Sequence, residues 1–423
     1  MKQIELPAKK EQDHFQNFAG PMGRHYYLDW LRVMAILFVF FVHGSKIFDY
    51  HTTVVFNVVR SPVLSIFREF ALLWIMPFFF VISGAAVYLA SRFQKAGGFI
   101  KSKVRRILIP SILVGTFVVN PPYVYIEKLF NQKTTSSFLD WYPSFFDGLY
   151  AAGGNFAPWG MGTYIWYLQF LFIYSLLLLP LFFRFRNPGK SFLEKISLFF
   201  ENPWALGSLF LPISVIAAAF EYKGLSYIRT MGNWDPVSYL FFFAYGYIVY
   251  SNTKIQKTIK THSTLFLIIA LSLTGLYLTS HFGIILKIQS VTRHDLSTGA
   301  VLPLNHIGFA VIQAFRGLMD WCWCLALIGI GQRFLNFNNS VRTYANEAVL
   351  PFYLLHHSLI YMVGFYVIAW NTSIGIKFLT ISVLSFTIIM VIYEVLIRRI
   401  NILRILFGMA TKAPKKRIIL FHV

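Results

Sequence analysis

Apolar residues occur in long blocks separated by short polar connections, and ten blocks have roughly the length of a membrane-crossing helix: about 27–48, 69–91, 107–126, 164–185, 204–220, 237–251, 264–286, 308–330, 348–369 and 377–397. A helix needs about 17–25 mostly apolar residues to span the hydrocarbon layer. The fifth and sixth blocks are short, and the third carries Pro110, Pro121 and Pro122. The pattern predicts an all-α, polytopic membrane protein of about ten spans. Its expected organisation is an N-terminal arm over 1–25, one transmembrane domain over 26–400 and a basic tail over 401–423. The arm lacks the apolar core of a cleavable signal peptide, which leaves the first helix as an anchor.

Composition agrees with the pattern. The 423 residues are 57% hydrophobic and 13% charged, with 45 Phe, 23 Tyr and 10 Trp, which suits lipid-facing surfaces and interfacial belts rather than a soluble core. The net charge of +21 is scattered between apolar blocks, so it speaks for membrane topology and against a nucleic-acid face. With a cytoplasmic N-terminus, 26 of the 38 Lys and Arg fall in inside loops and nine in outside loops. That asymmetry places both termini in the cytoplasm. Cys322 and Cys324 are expected to be small buried hydrophobes rather than a disulfide.

Ionisable residues interrupt the first block, among them Asp29, Arg32 and His43. Charge in hydrocarbon is costly and usually functional. Eleven residues of helix are three turns plus about 20°, with a rise of roughly 16 Å, so Arg32 and His43 share a face at different depths. Asp29 lies three residues before Arg32, a spacing at which the two can pair. An imidazole titrates near neutral pH and can activate a hydroxyl as a general base. Glu69, where the second block begins, is the expected partner to orient His43.

Other constellations are less specific. The connection 92–106 is basic, and its KSKVRRILIP stretch abuts the third block, so Lys103, Arg105 and Arg106 are placed either to bind phosphates or to meet lipid headgroups. NEAVLPFYLLHH sets Glu347 near the cytoplasmic boundary and His356 and His357 deeper; neighbours on a helix diverge by about 100°, so one imidazole is expected to enter a polar interior. Arg316 and Asp320 read as a neutralising pair. The aromatic connection 127–163 suits an interfacial belt, an ordered lid or a sugar-stacking surface. HExxH, GxSxG and GxxxxGK[ST] are absent, and no metal site is expected. From the residues alone, an enzyme and a transporter or flippase of a small anionic or lipid-linked substrate stand nearly level.

LDWLRVMAILFVFFVH, MPFFFVISG, KVRRILIP and PFYLLHH, in this order, resemble the acyltransferase 3 family of integral membrane acyltransferases over about Leu28 to Arg398. The ending is similar to the branch containing glucan-biosynthesis protein C, a succinyltransferase of periplasmic glucans. The resemblance implies transfer of an acetyl or succinyl group from a cytoplasmic acyl-CoA cosubstrate, with no bound cofactor, to a hydroxyl of an extracytoplasmic glycan or glycolipid, at an inner membrane. It assigns the essential imidazole to His43 and the first-helix guanidinium to Arg32. The family's basic R-x-x-R appears here as Lys103 and Arg106, a departure at its first position that loses a bidentate fork. Where relatives carry HxWFL, this chain reads Thr163, Tyr164, Ile165, Trp166, Tyr167, Leu168. Ser83 and Tyr167 are the expected oxyanion donors.

Overall fold

The computed structural model describes residues 25–50, 54–160, 163–185, 198–222, 234–281, 292–294, 301–303 and 306–412. Most of the expected N-terminal arm and the end of the tail lie outside the described residues. The principal helices are α1 (Tyr26–Lys46), α2 (Pro62–Ser91), α3 (Ala96–Phe130), α4 (Trp166–Leu177), α5 (Leu179–Phe185), α6 (Phe210–Tyr222), α7 (Pro236–Ser251), α8 (Thr253–His281), α9 (His306–Phe334), α10 (Ser340–Val367) and α11 (Ile374–Ile397). Seven helices among the described residues are long and apolar enough to cross a membrane. The protein is an all-α polytopic membrane protein. Beside short helical turns such as Phe138–Trp141, Pro203–Gly207 and Asn401–Leu406, the described residues hold a short antiparallel ladder of Thr292–His294 with Val301–Pro303.

Each predicted block contains helix, but the ends differ because capping and polar turns carry helices past the apolar stretch. Helix α2 starts at Pro62 rather than near 69: Ser61 is extended, its hydroxyl accepts from the Leu64 N–H, and Pro62 occupies the first turn, where a missing N–H costs nothing. The prolines do not break α3. Its middle runs as π-helix over Val104–Leu108 and Pro110–Val119, and Pro121 and Pro122 fall in the first turn of Asn120–Phe130. Widened turns of this kind absorb the carbonyl that proline leaves unbonded.

Helix α1 packs against α2, α9, α10 and α11 and so stands at the centre. Helices α2 and α7 approach more closely still. A Cβ on Gly84 would lie 1.9 Å from the Phe243 carbonyl oxygen, and one on Gly246 would lie 1.9 Å from that of Val81. The glycine of the ISG stretch is therefore a packing device that lets two backbones touch. Cys322 and Cys324 are both buried and unbridged.

The fourth block is helical over Trp166–Leu177 and Leu179–Phe185. The described residues just before it, the descending segment, lie along α3 as turns with one 3₁₀ turn over Pro158–Gly160. Buried irregular backbone is tolerated only when protein groups satisfy it. Here the Asn120 amide donates to the Ala157 carbonyl at 3.2 Å, the Trp159 N–H donates to Thr116 at 2.8 Å, and the Trp159 indole donates to Ser111 at 2.9 Å. Gln169 donates to the Trp159 carbonyl. Tyr353 donates to the Tyr164 carbonyl at 2.7 Å while Tyr164 donates to Leu354 at 2.5 Å, tying the segment to α10. The aromatic connection before it is ordered as well: Trp141 and Phe145 are buried, and Asn155 donates to the Ser144 carbonyl at 2.8 Å.

Candidate active site

The descending segment closes one wall of a cavity of about 250 Å³, lined by side chains of α1, α2, α3 and α10, with His43 on its surface. His43 thus faces an interior space rather than the lipid side of α1. Its Nδ1 is buried without a hydrogen-bond partner among the described residues. Two further imidazoles stand against it: His357 edge-on, with ring centroids 4.3 Å apart, and His356 at 5.2 Å. Their order follows from the 100° step between helix neighbours. His357 reaches the cavity, whereas the His356 Nδ1 lies 2.6 Å from the Tyr353 carbonyl and its ring stacks on Phe352. One imidazole of the pair enters the polar space, as expected from the spacing, and it is His357 rather than His356.

Aromatic rings hold His357 in place. Tyr164 stacks on it at 4.2 Å, and Tyr123 and Tyr361 each lie 4.9 Å away. The stretch Thr163 to Leu168 contributes Tyr164 to this wall, and the second imidazole of the cavity comes from α10. Outside the helices, Tyr150 donates to Glu127 at 2.6 Å. Burial first, and then that carboxylate, push the Tyr150 hydroxyl above the ordinary tyrosine range.

The end of the cavity nearest the C-terminus of α1 is charged. Lys46, Asp49 and Arg68 line it. Arg68 binds Asp49 through Nε at 2.6 Å and Glu69 through a terminal nitrogen at 2.5 Å, and Ser65 donates to Asp49 at 2.7 Å. Glu69 consequently does not orient His43. Its carboxylate is spent on the neighbouring guanidinium, the nearest cation in sequence and in space.

Toward the other end the wall carries Tyr167, whose hydroxyl shares a 2.6 Å hydrogen bond with Ser83. Both expected oxyanion donors are therefore together, with Ser83 behind Tyr167. Arg32 lies within electrostatic reach of Tyr167 and of Lys103, and Lys103 within reach of Arg106. Lys103 also sits over the Phe99 ring at 5.1 Å. Arg105 and Arg106 are solvent-exposed. The cations expected to meet phosphate thus form a like-charged group that leads from the surface, through Arg32, to the cavity wall.

Asp29 does not pair with Arg32. Its carboxylate binds Arg342 of α10, which is almost fully buried and also donates to Asn338 at 3.0 Å. Arg32 itself has no salt bridge to a described residue, because the carboxylate one turn away is engaged across the helix interface. Glu347 is no cavity residue either: it binds Arg404 at 2.8 Å and Arg398 at 3.5 Å. Arg316 and Asp320 both converge on Trp234, the guanidinium over the indole at 4.5 Å and the carboxylate accepting its N–H at 2.7 Å.

Lys46, Asp49, Arg68, Tyr123, Tyr164 and Tyr361 were not legible as cavity residues. Lys46 alone had a signal, one helical turn beyond His43 on the same face.

An imidazole whose Nδ1 has no partner among the described residues, a hydroxyl on the cavity wall and a group of cations within electrostatic reach of it can support transfer of a group from a phosphate-bearing donor to a hydroxyl. The acyltransferase domain family matches residues 25–394. The glucans biosynthesis protein C sequences of Salmonella schwarzengrund and Salmonella typhimurium are each 25% identical over 411 residues, covering 94% of this chain and 97% of theirs. That of Salmonella typhi is equally similar. No solved structure matches.

Proposed function

Since this chain belongs to the acyltransferase 3 family and is a membrane acyltransferase, we propose that it moves an acetyl or succinyl group from a cytoplasmic acyl-CoA to a hydroxyl of an extracytoplasmic glycan or glycolipid. Family membership decides for an enzyme over the transporter. The setting proposed is an inner membrane with both termini cytoplasmic, for which the asymmetry of Lys and Arg is the support. The observation that carries the reading is the cavity: His43 and Tyr167 both line it, Arg32 lies within electrostatic reach of Tyr167, and Lys103 within reach of Arg32.

In the proposed reaction the donor's phosphates meet Arg106, Lys103 and Arg105 at the surface, and its thioester arm extends past Arg32 into the cavity. Arg binds phosphate as a fork and Lys as a point charge, so the group suits a polyanionic headgroup. An acceptor hydroxyl reaches His43 from the opposite side and gives up its proton to the imidazole. The hydroxyl oxygen then attacks the thioester carbonyl, with Tyr167 donating to the developing oxyanion. The carbon–sulfur bond breaks, and the proton held by His43 passes to the leaving thiolate. Protons and charge balance without a covalent acyl-enzyme.

The test compares glycans from cells carrying the wild-type gene, no gene, or His43→Ala. The expected result is an added acetyl or succinyl mass with wild type only, while the His43→Ala protein reaches the membrane in normal amount. Normal product from His43→Ala would remove the imidazole from the chemistry. Glycans of unchanged mass in wild-type cells would overturn the acceptor class.

A further inference from the structure

Lys46 is a cavity cation whose ammonium has no hydrogen-bond or ion-pair partner among the described residues. It lies three residues after His43 in α1, at the spacing where side chains on a helix are neighbours, and both line the same cavity. Among the described residues its ammonium makes no hydrogen bond and no salt bridge, although Arg68 and Asp49 are within electrostatic reach. The one carboxylate on that wall among the described residues, Asp49, is ion-paired with Arg68 at 2.6 Å and accepts from Ser65 at 2.7 Å. Glu69 is held by the other side of Arg68 at 2.5 Å. Arg60 is directed away, donating to the Asp49 backbone carbonyl at 2.8 Å and stacking over Phe56 at 4.2 Å.

Holding an ammonium in a largely aromatic cavity is costly unless an anion compensates it. The wall supplies no such anion at hydrogen-bond distance. We propose that Lys46 is a specificity residue that binds a carboxylate carried by the substrate, so that the enzyme selects an anionic substrate over its neutral analogue. The inference rests on the acyl-transfer reading above. Its geometry is set by the helix: three residues, a rise of about 4.5 Å, separate Lys46 from His43 along the axis of α1. That span matches a short dicarboxylic acyl group whose thioester carbonyl lies at His43 and whose far carboxylate lies at Lys46. The same ammonium would also meet an acidic sugar of the acceptor, and the chemistry recognised is a carboxylate in both cases.

The experiment uses full-length protein in lipid nanodiscs, with acetyl-CoA or succinyl-CoA as donor and a neutral or a uronate-containing oligosaccharide as acceptor. Wild type, Lys46→Met and Lys46→Arg are compared by KM and kcat, and donor binding is measured separately by equilibrium titration with each thioester. Loss of one charge-assisted hydrogen bond predicts that Lys46→Met raises KM, or the donor dissociation constant, for the carboxylate-bearing partner by about tenfold or more. The neutral partner should change less than about threefold, and Lys46→Arg should restore the preference. A shift confined to succinyl-CoA identifies the acyl group as the source, and one confined to the uronate identifies the acceptor. Equal changes for charged and neutral partners, or none, in both turnover and binding would overturn the assignment. Failure of the underlying reading looks different: wild type would transfer no acyl group from either thioester, and His43→Ala would match it.

Discussion

Replacing Asp29 by Asn removes the carboxylate that α1 gives to Arg342, and the structure sets the size of the loss. Arg342 has side-chain exposure of 3% and Asp29 of 18%, so the pair is largely out of water. Breaking one side of a fully buried ion pair costs roughly 3–5 kcal/mol, because the other charge stays buried and unpaired. Arg342 keeps its bonds to Asn338 at 3.0 Å and Thr343 at 3.2 Å and its place over Tyr26 at 4.7 Å, which offsets part of that cost. We therefore expect about 2–3 kcal/mol from Asp29→Asn. With an unfolding entropy of about 2.1 cal/mol/K per residue over a chain this size, that is a fall in Tm of roughly 3 °C.

The assay is a double-mutant cycle on thermal unfolding in detergent, pairing Asp29→Asn with Arg342→Met and, separately, with Arg32→Met. The first pair should couple by about 1–2 kcal/mol and the second should be additive within about 0.5 kcal/mol. Strong coupling to Arg32 with additivity at Arg342 would refute the assignment. The outcome bears on function, because α1 carries His43 and α10 carries His357: the pair helps fix the register between the two imidazoles.

Gly84→Ala places a methyl against the Phe243 carbonyl, a backbone group that cannot swing away; it should cost roughly 1–3 kcal/mol, Gly84→Leu should largely abolish folded protein, and both are read as detergent-extracted yield and Tm. Glu69→Gln leaves Arg68 its 2.6 Å bond to Asp49, so transfer should stay within about threefold and stability within about 1 kcal/mol; a loss as deep as that of His43→Ala would return Glu69 to the site. Tyr167→Phe should lower kcat by roughly tenfold to a thousandfold with little change in KM, and Ser83→Ala should follow with a smaller fall. A rise in KM alone for Tyr167→Phe would make the hydroxyl a binding group instead.

Membership of the membrane class, the approximate positions of the helices and the presence of an imidazole within the first of them were all readable from the chain. Each rests on local chemistry: an apolar block of sufficient length has few alternatives to a helix in lipid, and an imidazole within one is costly wherever the helix sits. Lys103 and Arg106 were likewise legible as cations, because no acid occurs between Glu69 and Glu127 in the sequence. Partners across helices were not. Asp29 was read with Arg32 because they share a face, yet the structure gives it Arg342, 313 residues away. Glu69 was read with His43 by shared depth, yet the adjacent Arg68 takes its carboxylate.

The choice between His356 and His357 shows the same division most clearly. Helical periodicity dictates that the two rings point apart, so one was bound to face inward; which one depends on how α10 is rotated against α1 and on the aromatic rings from α3 and the descending segment that surround it. The Gly- and Pro-rich connection before Trp166 was legible as non-helical, but its partners were not: Asn120, Thr116 and Gln169, brought alongside by folding, satisfy its backbone groups, and Ser111 accepts from the Trp159 indole. Hydrophobic length and helical period are properties of one segment and are written in it; the pairing of charges and the wall of a cavity are properties of several segments at once, set by how they pack.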